Sequence, residues 1–266
     1  MACRFCGFRI QSYLLRNTFR SKSLFHLARS NFSGSLQDEK LSQLSYWKER
    51  YKDKHSKVFE WFLEPGEIVE TLLDRIQVSR WQPLHYLDLG CGLSDLSLHL
   101  LTQRQQSVSA VLVDFVPEAL HYQCMKFKDY MDQGRVPLKS MQHLVCADVK
   151  CLPLKDDVFH VVLDKGTMDA LIKDKVHGHI NSMLMMSEIL RVLTPCGRYL
   201  QISDEDPDSR LPFLEKLYAA DSNMFAERSP NVNETTQKSF KLSSWKFELL
   251  PSCSGTEYFL YWVEKL

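Results

Sequence analysis

The sequence predicts an α/β fold in which a seven-stranded mixed sheet carries helices on both faces. Between residues 85 and 203, five short apolar segments alternate with segments of helical periodicity. Strands that alternate with helices imply right-handed crossovers and a parallel sheet. Two further apolar segments, 245–250 and 258–263, are separated by Ser-Cys-Ser-Gly, which is typical of an antiparallel pair. Adding this pair to the five parallel strands gives seven strands in a mixed sheet.

The individual elements are predicted from the positions of apolar and helix-breaking residues. Two helices precede the sheet, over 41–63 and 67–78; the first ends before Glu64-Pro65-Gly66, and the second has one apolar face. We expect residues 221–241, which are polar, to form an irregular connection before the last two strands. The parallel strands are predicted at 85–89, 108–113, 144–147, 158–163 and 198–203, and the helices between them at 96–101, 116–130 and 178–192.

The first 37 residues differ from the rest of the chain in charge. They contain six basic residues and no acid before Asp38, and they are rich in Ser, with Phe and Leu between the charges. This composition is typical of a mitochondrial transit peptide, whereas a secretory signal needs a continuous apolar core. We therefore predict a disordered transit peptide at 1–37, a folded domain at 38–266 and a location in the mitochondrial matrix. The other interpretation is a basic N-terminus without a targeting function.

The composition of the remaining residues limits the classes of partner. Without the first 37 residues, 27 of the 33 basic residues remain against all 33 acidic ones. A mildly acidic body disfavours nonspecific nucleic-acid binding and suits a basic protein surface. No apolar run approaches the roughly 20 residues that span a bilayer, so we expect no membrane partner. Cys3 and Cys6 form a C-x-x-C pair without a second pair at zinc spacing, so we predict no metal.

The strongest motif is the turn Gly90-Cys91-Gly92, which follows a predicted strand and opens a helix. The backbone at such a turn passes close to a ligand, and a side chain at Gly90 or Gly92 would obstruct it. Enzymes that bind nicotinamide dinucleotides have a third glycine three residues on, where this chain has the anionic Asp95. Asp88, just before the turn, suits a cationic ligand. Both acids favour adenosylmethionine, which carries an ammonium and a sulfonium, over a pyrophosphate.

Two more acids are predicted where the next two strands end. Asp114 can accept hydrogen bonds from both ribose hydroxyls, and Asp148 can accept one from the adenine amino group, with Phe115 and Val149 beside the ring. Each acid, taken singly, has the alternative of capping a helix or a turn. The carboxyl ends of parallel strands meet at one edge of the sheet, so three acids in register with a glycine turn favour a binding site.

The acids and the glycine turn together resemble the class I adenosylmethionine-dependent methyltransferases, which have a Rossmann-like sheet of seven strands. The resemblance includes the segment 164–169 after the fourth strand, and it covers about residues 85–203. It implies that S-adenosyl-L-methionine is the cofactor and that residues 38–266 form the methyltransferase domain. The segment 164–169 is expected to line the ligand cleft; the alternative is that Asp164 and Asp169 pair with Lys165 and cap the next helix.

A narrower resemblance is to protein-lysine methyltransferases, including those that act on translation elongation factor 1 alpha. The segments 46–51, 59–62 and 164–169 resemble that group, and 202–212 resembles the mitochondrial citrate synthase-lysine methyltransferases. This resemblance implies a protein substrate, citrate synthase, and we expect a monomer. It also implies that three aromatic residues enclose the cofactor: Trp47, Tyr51 and Trp61. For Trp47 and Trp61, simple packing of the first helices on the sheet is the alternative. Six further residues are implied to bind the cofactor: Gly90, Asp114, Phe115, Asp148, Val149 and Lys165.

The acidic loop 204–208 follows the fifth parallel strand and has four acids in five residues. Our hypothesis is that Asp204 and Asp206 receive the cationic target lysine or the basic residues around it. Lys165 is a third candidate catalytic residue. The alternative is a solvated acidic turn, which runs of charge usually are.

The same scaffold is compatible with functions other than lysine methylation. One is a methyltransferase for another protein lysine or a small molecule, and another is a noncatalytic binding subunit. Methyltransferases that act on nucleic-acid amino groups often carry an N-P-P-Y-like element after the fourth strand, where this chain has 164–167, Asp-Lys-Gly-Thr. The intact acids and glycines of the predicted pocket disfavour a noncatalytic subunit.

Overall fold

The computed structural model describes residues 38–52, 60–77, 83–102, 107–137, 139–227, 240–252 and 255–266. The predicted transit peptide, the C-x-x-C pair and residues 53–59 lie outside these ranges. No helix of the described part is long and apolar enough to cross a membrane. The helices are a 3₁₀ helix Asp38–Ser42, α1 Leu44–Lys52, α2 Pro65–Ile76, α3 Leu96–Thr102, α4 Pro117–Asp132, α5 Thr167–Ile172, α6 Gly178–Val192 and α7 Pro207–Glu227. The strands are β1 Leu84–Leu89, β2 Val108–Asp114, β3 Met141–Cys146, β4 Phe159–Lys165, β5 Leu193–Ser203, β6 Lys246–Leu250 and β7 Tyr258–Glu264.

The strands form one seven-stranded sheet in the order β3-β2-β1-β4-β5-β7-β6. Strands β1 to β5 pair in parallel, and β7 runs antiparallel between β5 and β6. The predicted mixed sheet and the antiparallel closing pair are confirmed. The chain runs outward from β1 to β3 and then returns to the other side of β1 at β4. A crevice at such a reversal is where open α/β sheets bind their ligands.

Two apolar layers cover the two faces of the sheet, because successive residues of a strand point to opposite sides. Leu87 and Leu89 pack with side chains of α5, α6 and α7, while Tyr86 packs with α2, α3 and α4. The predicted placement of helices on both faces is therefore confirmed. The burial of both faces explains why the parallel strands are nearly continuous apolar runs.

A buried charged network ties α6 to the connection between β3 and β4. The Arg191 guanidinium binds both carboxylate oxygens of Glu188, at 2.7 and 2.8 Å, and Asp156 at 2.7 Å. It also donates to the carbonyls of Leu152 and Leu154. Arg191 and Glu188 are each more than nine-tenths buried, so this network replaces the water that both charges lose on folding.

The N-terminal helix prediction is wrong in its extent. Instead of one helix over 41–63, the structure has the 3₁₀ helix and α1, which ends at Lys52, and residues 60–63 are not helical. Phe62 has a left-handed φ of 64°, and the carbonyl of Leu63 accepts a hydrogen bond from Lys165. Tertiary contacts therefore override the local helical pattern.

The C-terminal half contains helices that the sequence pattern did not predict. The short α5 follows β4, and α7 extends through residues 207–227, so part of the predicted irregular connection is helical. Pro207 is compatible with this helix, because it occupies the first helical position, where a missing N–H costs nothing. Strand β5 also begins five residues earlier than predicted, because Leu193 pairs with Phe159 across a bulge.

Candidate active site

A cavity of about 770 Å³ lies at the carboxyl ends of β1, β2 and β4, beneath α1 and residues 61 and 62. Its wall includes every predicted site residue except Asp206: Trp47, Tyr51, Trp61, Asp88, Gly90, Gly92, Asp114, Phe115, Asp148, Val149, Lys165 and Asp204. The structure therefore brings twelve of the thirteen predicted site residues to one cavity.

The glycine turn is fixed by contacts that the sequence did not indicate. Gly90 and Gly92 have left-handed φ values of 66° and 50°. A Cβ at Gly90 would overlap the hydroxyl of Thr167, which donates to the carbonyl of Leu89 at 2.7 Å, and a Cβ at Gly92 would lie 2.9 Å from the hydroxyl of Tyr51. Both glycines are thus required by the protein's own packing, in addition to the predicted approach of a ligand.

Replacing Gly90 by alanine is expected to weaken cofactor binding about tenfold. The left-handed backbone costs roughly 1–2 kcal/mol for any L side chain, and the clash with Thr167 displaces the turn. Gly134→Ala is the matched control, because Gly134 has the same φ of 66° with nothing within 4 Å of the added Cβ. We expect it to lower the melting temperature slightly and to leave cofactor affinity unchanged. Equal cofactor affinities for the two variants would show that the Thr167 contact is unimportant.

Asp114 links the glycine turn to the start of α4. Its Oδ2 accepts a hydrogen bond from the Gly92 amide at 2.9 Å, and its Oδ1 accepts one from the Val116 amide at 2.8 Å. The residue is only 3% exposed, and burial raises the pKa of its carboxyl to about 6. The predicted contact with ribose would thus be made by a carboxylate whose direction is already set by two backbone amides.

Asp88 is buried on the other side of the turn. Ser97 donates a hydrogen bond to Oδ2 of Asp88, and the hydroxyl of Tyr86 donates to Ser97. Burial raises the pKa of the Asp88 carboxyl to about 7. Neither Ser97 nor Tyr86 was anticipated. Ser97 lies 9 residues from Asp88 and 11 from Tyr86, but nothing in the pattern distinguishes the two residues from core residues.

Lys165 pairs with Glu60, and both side chains are more than nine-tenths buried. The Lys165 ammonium also donates to the carbonyl of Leu63 at 3.2 Å, and Ser94 donates to Glu60. The pair therefore joins the end of β4, the glycine loop and the segment that covers the cavity. Glu60 was missed as a site residue, because its partner is 105 residues away in sequence.

Asp164 and Asp169 have partners other than Lys165, so the alternative that paired them with it is wrong. Asp164 accepts hydrogen bonds from Tyr199 at 3.0 Å and Gln201 at 2.9 Å, and its Oδ1 accepts the Thr167 amide and so caps α5. The capping part of that alternative is therefore correct for Asp164 and wrong for Asp169, which lies within α5. Asp169 pairs with Arg210.

The aromatic residues of the N-terminal segment both pack together and line the cavity. Trp47 is 8% exposed, its ring lies 5.5 Å from that of Tyr51 and 6.0 Å from that of Trp61, and its Nε1 donates to the carbonyl of Leu41. Phe115 packs against this cluster. Packing and cofactor enclosure are thus compatible roles for these rings.

Asp148 and Val149 form the far wall, after β3. Asp148 is exposed and pairs with the Lys150 ammonium at 2.8 Å, while Val149 is buried. The Asp148 carboxylate can accept a further donor from the cavity side.

The acidic loop is divided between the cavity and the solvent. Asp204 is exposed and lines the cavity, whereas Asp206 lies outside the lining and accepts a hydrogen bond from the Ser209 amide at 3.1 Å. Hydrogen bonds from backbone amides lower the pKa of Asp206, as expected for a residue that caps α7. The predicted catalytic role of Asp206 thus lacks the placement that Asp204 has.

Carboxylates and aromatic rings in one cavity fit a cofactor that combines cationic groups with a nucleoside. Asp88 lies at the centre and Asp114 and Asp148 at one end, where a ribose and an adenine can be held, while Asp204 lies at the other end. These acceptors and aromatic rings suit S-adenosyl-L-methionine.

Comparisons with known proteins find methyltransferases similar to this chain in sequence and in fold. A family described as "Methyltransferase domain" matches residues 82–250. The mitochondrial citrate synthase-lysine N-methyltransferase of Homo sapiens is 34% identical over 213 residues, which are 76% of this chain and 87% of that protein. The eEF1A lysine and N-terminal methyltransferase homolog of Drosophila melanogaster is 32% identical over 168 residues, which are 62% of this chain and 23% of that one. The crystal structure of the N-methyltransferase NodS from Bradyrhizobium japonicum, in complex with S-adenosyl-L-homocysteine, has 12% identity and a TM-score of 0.53, over 82% of this chain and 98% of that one.

The fold and the cavity thus define an enzyme that uses S-adenosyl-L-methionine to transfer methyl groups. The chain belongs to the methyltransferase-domain family, in the branch that includes the citrate synthase-lysine N-methyltransferases. The predicted cofactor and enzyme class are confirmed.

Proposed function

We propose that this enzyme transfers methyl groups to the ε-amino group of a lysine of mitochondrial citrate synthase. The observation that carries the proposal is the arrangement of one cavity. The predicted cofactor residues line it at the ends of β1 to β3, and Asp169 and Asp204 line it beyond β4 and β5. The 34% identity to the human citrate synthase-lysine N-methyltransferase over most of both chains supports the choice of substrate. The relatives named for eEF1A support a second candidate, another protein lysine.

The residues at the β1–β3 end of the cavity would hold the cofactor. Asp114 would bind the ribose, Asp148 the adenine amino group, and Phe115 and Val149 the faces of the ring. Asp88 would lie closest to the cationic amino-acid part. When bound, S-adenosyl-L-methionine supplies a methyl group activated by a positively charged sulfur.

The N-terminal cover would exclude water. Trp47, Tyr51 and Trp61 pack over the cavity, and the Glu60–Lys165 pair fastens this cover to the end of β4. Lys165 would thereby act on both cofactor binding and turnover. A free lysine has a pKa of about 10.4, and a site that excludes water favours its neutral, reactive amine.

Asp204 would attract the positively charged lysine, or basic residues beside it, at the mouth of the cavity. Asp204→Ala is expected to raise KM for the protein substrate about fivefold, equivalent to ~1 kcal/mol for an exposed charge. Asp206→Ala should raise KM less, because Asp206 lies outside the cavity lining. Steady-state kinetics with both variants checks this; unchanged KM and kcat in both would remove the loop from the proposal.

The location is part of the proposal. Residues 1–37 have the composition of a transit peptide, and the citrate synthase-lysine relatives are named as mitochondrial. We infer that the enzyme acts in the matrix, on a partner with a basic surface.

Incubation with labelled S-adenosyl-L-methionine and mitochondrial extract tests the proposed function. We expect the label on citrate synthase. Label on a different protein would contradict citrate synthase as the substrate but would still support a protein as the methyl acceptor. Label on no protein, with label in the small-molecule fraction, would contradict protein methylation.

A further inference from the structure

Asp169, on α5 directly after β4, has one carboxylate oxygen that is held and one that is not. Its Oδ1 accepts hydrogen bonds from Ser203 at 2.8 Å and from the Arg210 guanidinium. Its Oδ2 is buried and has no hydrogen-bond partner among the described residues. A buried carboxylate oxygen without a donor is unfavourable, since it has lost water and gained nothing in return.

Two elements, β5 and α7, converge to hold Asp169 on α5. Ser203 ends β5, Arg210 lies in the first turns of α7, and both are buried. The Arg210 guanidinium also donates to Ser203 at 2.9 Å, so each of the three side chains is hydrogen-bonded to the other two, while Nε and Nη1 of Arg210 are buried without a hydrogen-bond partner among the described residues. This arrangement fixes the direction of the carboxylate and leaves Oδ2 as its available acceptor.

The position of Asp169 separates it from the residues that fit the cofactor. Asp169 lines the cavity after β4, whereas Asp114 and Asp148 follow β2 and β3. In the strand order β3-β2-β1-β4-β5, β3 and β4 are three spacings apart, or about 14 Å at ~4.8 Å per strand. Burial raises the pKa of the Asp169 carboxyl, and Asp204, beyond β5, lies close enough to contribute to this rise. Asp169 is thus on the acceptor side, deeper than the exposed Asp204.

We propose that Oδ2 of Asp169 accepts a hydrogen bond from the ε-amino group of the substrate lysine, and that Arg210 and Ser203 position it for this. The inference rests on the proposed lysine methylation and names the residue that binds its acceptor. An N–H of the amine supplies the donor that Oδ2 lacks. Asp204 attracts the lysine at the mouth, and Asp169 holds the amine inside, so the two acids affect different kinetic constants.

Asp169→Asn is the direct test, because the amide oxygen can still accept from Arg210 and Ser203 while an NH₂ group replaces Oδ2. We expect kcat to fall about 100-fold, as for a misplaced reacting group, with KM for the protein changed less than threefold. The dissociation constant of S-adenosyl-L-methionine, measured by calorimetry, should stay within about twofold of wild type. Asp129→Asn, an exposed acid on α4, is the matched control and should change neither kcat nor the dissociation constant.

Ser203→Ala provides a second test that keeps the buried charge pair. It removes one of the two hydrogen bonds that direct Asp169, and we expect kcat to fall about tenfold with the cofactor's dissociation constant unchanged. If Asp169→Asn does not fold, this variant decides: an unchanged kcat overturns the proposal.

The outcomes separate this inference from the proposed function. Wild-type kcat in Asp169→Asn would overturn the role of Asp169 and leave lysine methylation standing. Parallel losses of kcat, cofactor affinity and melting temperature would assign Asp169 a structural role instead. A wild-type enzyme that methylates no lysine would overturn the proposed function, and this inference with it.

Discussion

Asp114→Ala is expected to weaken the binding of S-adenosyl-L-methionine about 100-fold or more. The change leaves the amides of Gly92 and Val116 without their acceptor, and each buried, unpaired donor costs roughly 1–3 kcal/mol. The turn loses its anchor to α4, and the site loses the acceptor proposed for the ribose hydroxyls. Titration calorimetry measures the effect, and circular dichroism checks that the fold is kept.

Asp148→Ala is the control, because it also removes an acid that is proposed to bind the cofactor. Asp148 is exposed, and its contacts are with Lys150, so its loss should weaken cofactor binding less than about tenfold. A dissociation constant for Asp114→Ala within threefold of wild type would contradict the placement of the cofactor at the glycine turn.

Arg191→Leu is expected to lower the free energy of unfolding by about 3–5 kcal/mol. The substitution leaves Glu188 charged and buried without its partner, and it leaves the carbonyls of Leu152 and Leu154 without donors. Urea denaturation measures the change. The network lies at the connection between β3 and β4 and away from the cavity lining, so cofactor affinity should be retained at low temperature.

A second arginine–glutamate pair supplies the control. Arg75 binds Glu248 at the surface, with the Arg75 side chain 36% exposed, and Arg75→Leu should cost less than about 1 kcal/mol. Equal losses for the two variants would contradict the view that burial decides the contribution of the Arg191 network.

Many of the predicted site residues reach one cavity because they lie at or just after the ends of parallel strands. The order of strands and helices predicts a parallel sheet, and the carboxyl ends of such strands meet at one edge. Asp88 lies near the end of β1, Asp114 ends β2 and Asp148 follows β3 by two residues, and all three line the cavity. The glycine turn adds a local signal that needs no knowledge of distant contacts.

The residues that the sequence did not reveal depend on long-range contacts. Glu60 meets Lys165 across 105 residues, and Arg210 meets Asp169 across 41. Neither the hydrophobic periodicity nor the spacing of residues within a segment indicates such long-range pairs. Helix α7 was missed for a related reason: its prolines disfavour a helix locally, while Leu214 and Leu217 are fully buried against the sheet.

The difference between Asp204 and Asp206 illustrates the limit of a charge pattern. Both lie in one acidic loop, yet Asp204 lines the cavity and Asp206 caps α7. The start of the helix at Pro207 separates them, and that start was not predicted. Fold and family alone do not choose a substrate, so the acceptor side of the cavity has to be tested directly.

Mass spectrometry of purified citrate synthase, after incubation with this enzyme and S-adenosyl-L-methionine, is the most direct measurement. The account predicts a mass gain of one or more methyl groups, located by fragmentation on the side chain of a lysine, and its strong reduction with Asp169→Asn. Methylation at another residue type or at the α-amino group, or no mass gain with an enzyme that binds the cofactor, would contradict it.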